Sequence, residues 1–212
     1  SGCESLTSLN INSFNTKNVV YMSHMFSECN SLTSLDVSNF NTEKVVDMSS
    51  MFNECKGLKN LDVSKFETGN VEDMYNMFNN CTQLKEIDVS KFETKKVTDM
   101  AAMFSYCRAV VSLDLQNFDT SYVTDMYSMF SHCSNLIEIK YKTFNTANVK
   151  DMSNMFDHCT KIKNLEIVNM FDTKNVNYMD YMFASCSEIE KLDLSNFDTK
   201  NVKYMNNMFE FN

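Results

Sequence analysis

The sequence predicts an α/β solenoid, a single elongated array of short parallel strands joined by short helical or 3-10 turns. Three observations predict it. A cysteine returns every 26 residues at Cys3, Cys29, Cys55, Cys81, Cys107, Cys133 and Cys159, and then at Cys186 after a single 27-residue step. Between the cysteines one pattern recurs from end to end, C-x-x-L-x-x-L-D-V-S-x-F-x-T-x-x-V-x-x-M-x-x-M-F. Gly occurs 3 times and Pro not at all, and no linker or low-complexity stretch interrupts the frame. A fixed period of this length marks a fold in which each repeat buries its apolar face only against its neighbours. Residues 1–212 are therefore expected to form a single repeat array of about eight 26-residue repeats, without a separate globular core.

The repeat that begins at Cys29 shows the elements in order. Leu35 and Val37 share one face of a short strand and Asp36 lies on the other, the period-2 signature. The inward pair recurs as Leu9/Ile11, Leu61/Val63, Ile87/Val89, Leu113/Leu115, Ile139/Tyr141, Leu165/Ile167 and Leu192/Leu194. Each turn of chain returns to the same starting point, so neighbouring strands must run parallel. After the strand comes F-x-T, here Phe40 and Thr42. The Phe is expected in the core and the Thr is expected to satisfy backbone groups in the bend, since a buried hydroxyl without a partner costs about 1–3 kcal/mol. With so few Gly, the turns fall to Asn, Asp, Ser and Thr.

Met48, Met51, Phe52 and Cys55 stand at i, i+3, i+4 and i+7, the spacing of one helical face, which predicts a short helix or 3-10 segment. Asp47, Asp73, Asp99, Asp125 and Asp151 precede the first Met as candidate helix caps, although Tyr21, Tyr178 and Tyr204 hold the same position. The Met stripe reads as core filler. The cysteines read as reduced packing thiols: stacked repeats about 4.8 Å apart allow a disulfide by distance, but thiols that all point into the core are wrongly oriented for it.

A net charge of −9 with 19 scattered Lys and Arg argues against nucleic acid, whose binders cluster basic residues. The longest apolar runs fall far short of the ~20 residues that span a bilayer. Ser1-Gly2-Cys3 stands in the frame of Ser27-Glu28-Cys29, Asn212 falls where the next cysteine is due, and neither end has a polar cap. These features predict a fragment of a longer protein.

The repeat resembles that of the BspA-like leucine-rich-repeat bacterial surface proteins. The likeness is carried by L-x-x-L-D-V-S-x-F at residues 32–40, L-D-L-S-N-F-D-T at 192–199 and V-x-D-M-x-x-M-F-x-x-C at 45–55, and it covers essentially the whole chain. It implies a leucine-rich-repeat solenoid, cell-surface or secreted display, and a role in adhesion or host contact. It supplies no catalytic residue. Departures are few: Val110 and Ile162 replace the first Leu, and one residue is added between Ile167 and Phe171, where a bulge or kink is expected.

The candidate binding residues form the outward strand column, Asn10, Asp36, Asp62, Asp88, Asp114, Lys140, Glu166 and Asp193. Carboxylates stacked at strand spacing repel unless water, a cation or a Lys relieves them. The column reads either as a solvated face or as a surface that recognises a protein or glycan at a cell surface or matrix. Lys140 breaks its sign, next to Tyr141, Lys142 and the exposed candidate Ile137. Calcium is disfavoured because no compact loop supplies six to eight oxygens. His132-Cys133 and His158-Cys159 invite zinc or Cys/His catalysis, but neighbouring side chains point apart and the cysteines are expected inward. No catalytic site, cofactor or metal is expected. Two roles remain, a binding or adhesion module and a structural spacer that holds another domain away from the cell.

Overall fold

The computed structural model describes residues 1–211; Asn212, which stands where the next cysteine is due, lies outside them. The chain is a solenoid with one continuous apolar cluster from Ile11 to Met208. Regular secondary structure is sparse. Among the described residues there are two strands, β1 (Ser112–Asp114) and β2 (Glu138–Lys140), and one 3-10 helix, Glu166–Met170. The strands pair in parallel with Leu113 opposite Ile139, as the repeat geometry requires. Elsewhere the strand position is irregular, with isolated parallel bridges at Ser34–Asn60 and Asn164–Lys191.

The main parallel ladder lies instead at the residue before the first Met, where Tyr21, Asp47, Asp73, Asp99, Asp125, Asp151, Tyr178 and Tyr204 bridge in succession. This corrects the helix expected over Met-x-x-Met-Phe. The Met51 N–H reaches the Met48 carbonyl (3.2 Å) and the Cys55 N–H reaches that of Phe52 (3.1 Å), so the segment is two consecutive turns. The third residue of each turn, Ser50 and then Glu54, has positive φ (54° and 59°), which makes both type II. The intervening N–H groups point along the array: Met48, Ser50, Phe52 and Glu54 donate to Asp73, Tyr75, Met77 and Asn79 of the next repeat at 2.7–3.1 Å. A helix would spend those donors internally. Two left-handed non-glycine residues cost about 1–2 kcal/mol each, and four inter-repeat hydrogen bonds at about 1 kcal/mol each offset that. The apolar spacing does mark one buried face, and two tight turns place residues i, i+3, i+4 and i+7 inward as well as a helix does.

Three side-chain columns complete the stacking. Phe26, Phe52, Phe78, Phe104, Phe130, Phe156, Phe183 and Phe209 stack with centroids 5.5–6.0 Å apart and planes within 14°. The Thr of F-x-T acts as a substitute peptide group. Thr42 Oγ1 donates to the Glu67 carbonyl (3.0 Å) and accepts the Glu67 N–H (2.7 Å). The same pair of bonds joins Thr68 to Glu93 and Thr94 to Asp119. From Cys55 onward each cysteine donates its thiol to the carbonyl of a Phe 29 or 30 residues back, as Cys81 does to Phe52 and Cys107 to Phe78, both at 3.1 Å.

All eight cysteines are free. Seven are buried, and burial pushes the thiols up, to about 12 for Cys55, Cys133 and Cys186. Cys3 is exposed. The extra residue near position 168 is taken up by the 3-10 helix, which buries Ile167 and Val168. Phe171 stays in register, 5.8 Å from Phe144.

Candidate functional site

The outward column is built by turn chemistry. Asp36, Asp62, Asp88, Asp114 and Asp193 each accept, through Oδ1, the N–H two residues on, at 2.9–3.1 Å. Hydrogen bonds from the following Ser hold the Asp36, Asp62 and Asp88 carboxyls below the usual carboxylate range, and the Ser195 backbone N–H does most for Asp193. These groups stay ionised, with one oxygen committed to the turn. Asp36, Asp62, Asp88, Lys140, Glu166 and Asp193 are exposed, while Asp114 is partly covered. Lys140 sits in β2 with no such turn, and Glu166 opens the 3-10 helix, its Oε1 accepting from Asn164 (2.9 Å).

Two grooves adjoin Glu166, beyond the point where the column changes sign. An open groove of about 440 Å³ lies between Lys163 and Asp193, and a second of about 290 Å³ reaches Ile137 and Tyr141; both are lined by Asn164, Leu165 and Glu166. Val111 and Ile137 are exposed beside them, at 47% and 54%. Partial burial, and then the Glu166 charge, push the Tyr141 hydroxyl up, so it stays protonated.

A second acidic column stands at the positions expected to cap helices. Oδ1 of Asp47, Asp73, Asp99, Asp125 and Asp151 accepts the N–H two residues on, at 2.7–2.8 Å, so each closes a turn and not a helix. Burial, with neighbouring carboxylates adding, pushes Asp73 and Asp125 up, and Asp99 up to about 6.

His132 and His158 come together, through Asp157 and not through the neighbouring cysteines. His132 and His158 occupy the same left-handed turn position in consecutive repeats, at φ 59° and 57°, and their rings stack 4.2 Å apart. Tyr106 extends the stack from the other side at 4.1 Å, with the Arg108 guanidinium over it at 5.3 Å. Asp157, 8% exposed, points between the imidazoles: Oδ1 is 2.6 Å from His158 Nδ1 and Oδ2 is 3.6 Å from His132 Nδ1. Burial pulls the His132 imidazole down, with the nearby His158 adding. Cys133 and Cys159 face the core and take no part. The position of Asp157 holds Asn53, Asn79, Ser105 and Ser131 in other repeats, so its charge was the available signal.

Among solved structures, the chain resembles a leucine-rich repeat protein from Eubacterium ventriosum at 15% identity and TM-score 0.48, with 87% of this chain and 62% of that one covered. The chain thus spans about three fifths of that protein's length. It also resembles the T. pallidum leucine rich repeat protein, at 14% identity and TM-score 0.40, with 81% and 72% covered. A leucine-rich repeat protein from Bacteroides ovatus matches at 15% identity and TM-score 0.30, with 88% and 72% covered. The curated proteins contain no match. The family described as "Mycoplasma protein of unknown function, DUF285" matches residues 1–110, 56–163 and 135–212, the whole length of the array. With its 26-residue frame and its stacked Phe column, the chain belongs to this family, a BspA-like leucine-rich-repeat family.

Proposed function

We propose that the chain is a non-enzymatic binding module, displayed at a cell surface or secreted, that engages a protein or glycan through its outward face around Asp88, Asp114, Lys140 and Glu166. Leucine-rich-repeat arrays are in general protein-interaction modules. The observation that carries the reading is that the break in charge at Lys140, the paired strands β1 and β2, and a groove running from Ile137 and Tyr141 to Glu166 lie in neighbouring repeats. A large partner can span residues 26 positions apart in sequence because stacking sets them side by side. No catalytic family is indicated, and among the described residues no helix is long and apolar enough to cross a membrane. We read residues 1–212 as one binding array within a longer protein.

The test replaces Asp88 and Asp114 by Asn, which keeps the turn acceptor, and Lys140 and Glu166 by Ser. Binding to cell-surface and matrix preparations should weaken while circular dichroism stays that of the parent. Undiminished binding by the folded variant would move the interface elsewhere. If the parent itself binds no preparation, the uniform Phe and Thr stacking favours the spacer role.

A further inference from the structure

We propose that His132, Asp157 and His158 form a site for one divalent transition-metal ion of the zinc class, clasping two consecutive repeats. One ligand atom from each of the three residues lies within 4.8 Å of the others. Zinc takes His nitrogen and Asp oxygen at about 2.0–2.2 Å, so neighbouring ligand atoms in a tetrahedral shell lie about 3.3 Å apart. The observed separations, 2.6 Å from Asp157 Oδ1 to His158 Nδ1 and 3.6 Å from Asp157 Oδ2 to His132 Nδ1, fall on either side of that value, with one carboxylate oxygen facing each imidazole. Binding at Nδ1 displaces the proton shared between His158 Nδ1 and Asp157 Oδ1; the imidazole takes up a proton at Nε2 in its place and stays a neutral ligand, and no redox change is involved.

The surroundings suit the ion in charge and in mobility. Asp157 is a buried carboxylate whose side-chain neighbours are imidazoles, so a cation compensates it more fully than a hydrogen bond does. Parallel rings cannot both aim in-plane lone pairs at one ion. The His158 side chain is 48% exposed and can tilt, whereas His132 is held between Tyr106 and His158 and only has to release Ser131 Oγ, at 2.9 Å from its Nδ1. Three protein ligands leave a fourth position open to water or to a donor from a partner, the arrangement of an accessible zinc site. Arg108 is the nearby opposing cation, and Tyr106 lies between it and the imidazoles.

The test uses the full chain, stripped of metal and carrying Cys3→Ser so that the exposed thiol cannot compete. Titration with Co2+ should give one saturable site whose absorption shows nitrogen and oxygen ligands without a thiolate charge-transfer band, and Zn2+ should displace it. Zn2+ should shift the ring resonances of His132 and His158 and leave those of His24, which lies in a distant repeat. His132→Asn and His158→Asn should each weaken binding roughly tenfold or more. Both are compatible with the fold, since Asn80 holds the same position at φ 60°. Asp157→Asn, which restores the residue of the Asn53 and Asn79 repeats, should do the same. Absence of a saturable Co2+ signal would overturn the proposal, leaving only a hydrogen-bonded cluster. So would unchanged affinity in the folded His132→Asn/His158→Asn double variant.

Discussion

Replacing Asp99 by Asn should stabilise the array at pH 7.5 and do almost nothing at pH 4.5. Asp99 stands at the centre of a ladder in which Asp73 and Asp125 bridge to it from either side. Burial, with these two neighbouring charges adding, raises its carboxyl from 3.8 to about 6. A raised carboxyl binds its proton more tightly in the native than in the unfolded chain. Its contribution is therefore fully present below about pH 4 and is lost as pH rises through about 6. A shift of this size corresponds to at most about 3 kcal/mol, and solvent screening of a partly exposed group reduces it to about 1–2 kcal/mol. Asn keeps an oxygen for the Ala101 N–H, which Asp99 Oδ1 accepts at 2.8 Å, so the turn survives while the charge goes. Urea denaturation of parent and variant at the two pH values measures the difference directly. The parent should be more stable at pH 4.5 than at 7.5, with Asp73 and Asp125 contributing in the same direction, and the variant should show less of this slope. A variant less stable than the parent at pH 7.5, or one with an identical pH profile, would refute the reasoning. The outward carboxyls have the opposite sign. Asp36, Asp62, Asp88 and Asp193 lie below their ordinary value, so their stabilisation is lost only as the pH falls below about 4.

Two further outcomes follow from the stacking. A thiol reagent at pH 8 should modify Cys3 quickly and the seven buried cysteines only on unfolding, because a thiol raised to about 12 is ionised in roughly one molecule in 10⁴ at that pH; mass spectrometry finding linked neighbours, or uniform labelling of the native chain, would count against it. Thr94→Val should cost about 2–4 kcal/mol by stranding both the N–H and the carbonyl of Asp119, whereas Thr94→Ser should cost far less; equal denaturation midpoints for the two variants would mean that shape, not hydrogen bonding, is what the Thr supplies.

The period, the inward residues and the need to satisfy every buried Thr were legible because they are repeated chemistry: an error at one position would be multiplied along the array. Which backbone conformation delivers the inward face was not. Met48, Met51, Phe52 and Cys55 satisfy a helical template, and nothing at Ser50 or Glu54 announces a left-handed residue where glycine would be usual. The hydrogen bonds that favour the turns run to Asp73 through Asn79, a full repeat away. The outward column was legible as a surface, but the grooves beside Glu166 depend on how the 27-residue step is accommodated. His132 and His158 were visible, and their nearness was not, since adjacency to Cys133 and Cys159 drew attention to partners on the wrong side of the backbone.

The stacking has translational symmetry. A residue in one repeat is bonded to the residue 25 or 26 positions on, so a segment copied or lost in register leaves the same backbone bonding at every remaining junction. Array length can therefore vary by in-frame duplication or deletion without any redesign of the interfaces, which globular cores do not permit. What such an event cannot reproduce is the singular: the 27-residue step, the Lys140 break and the Asp157 carboxylate each exist once, and their distance from either end would shift with every repeat gained or lost.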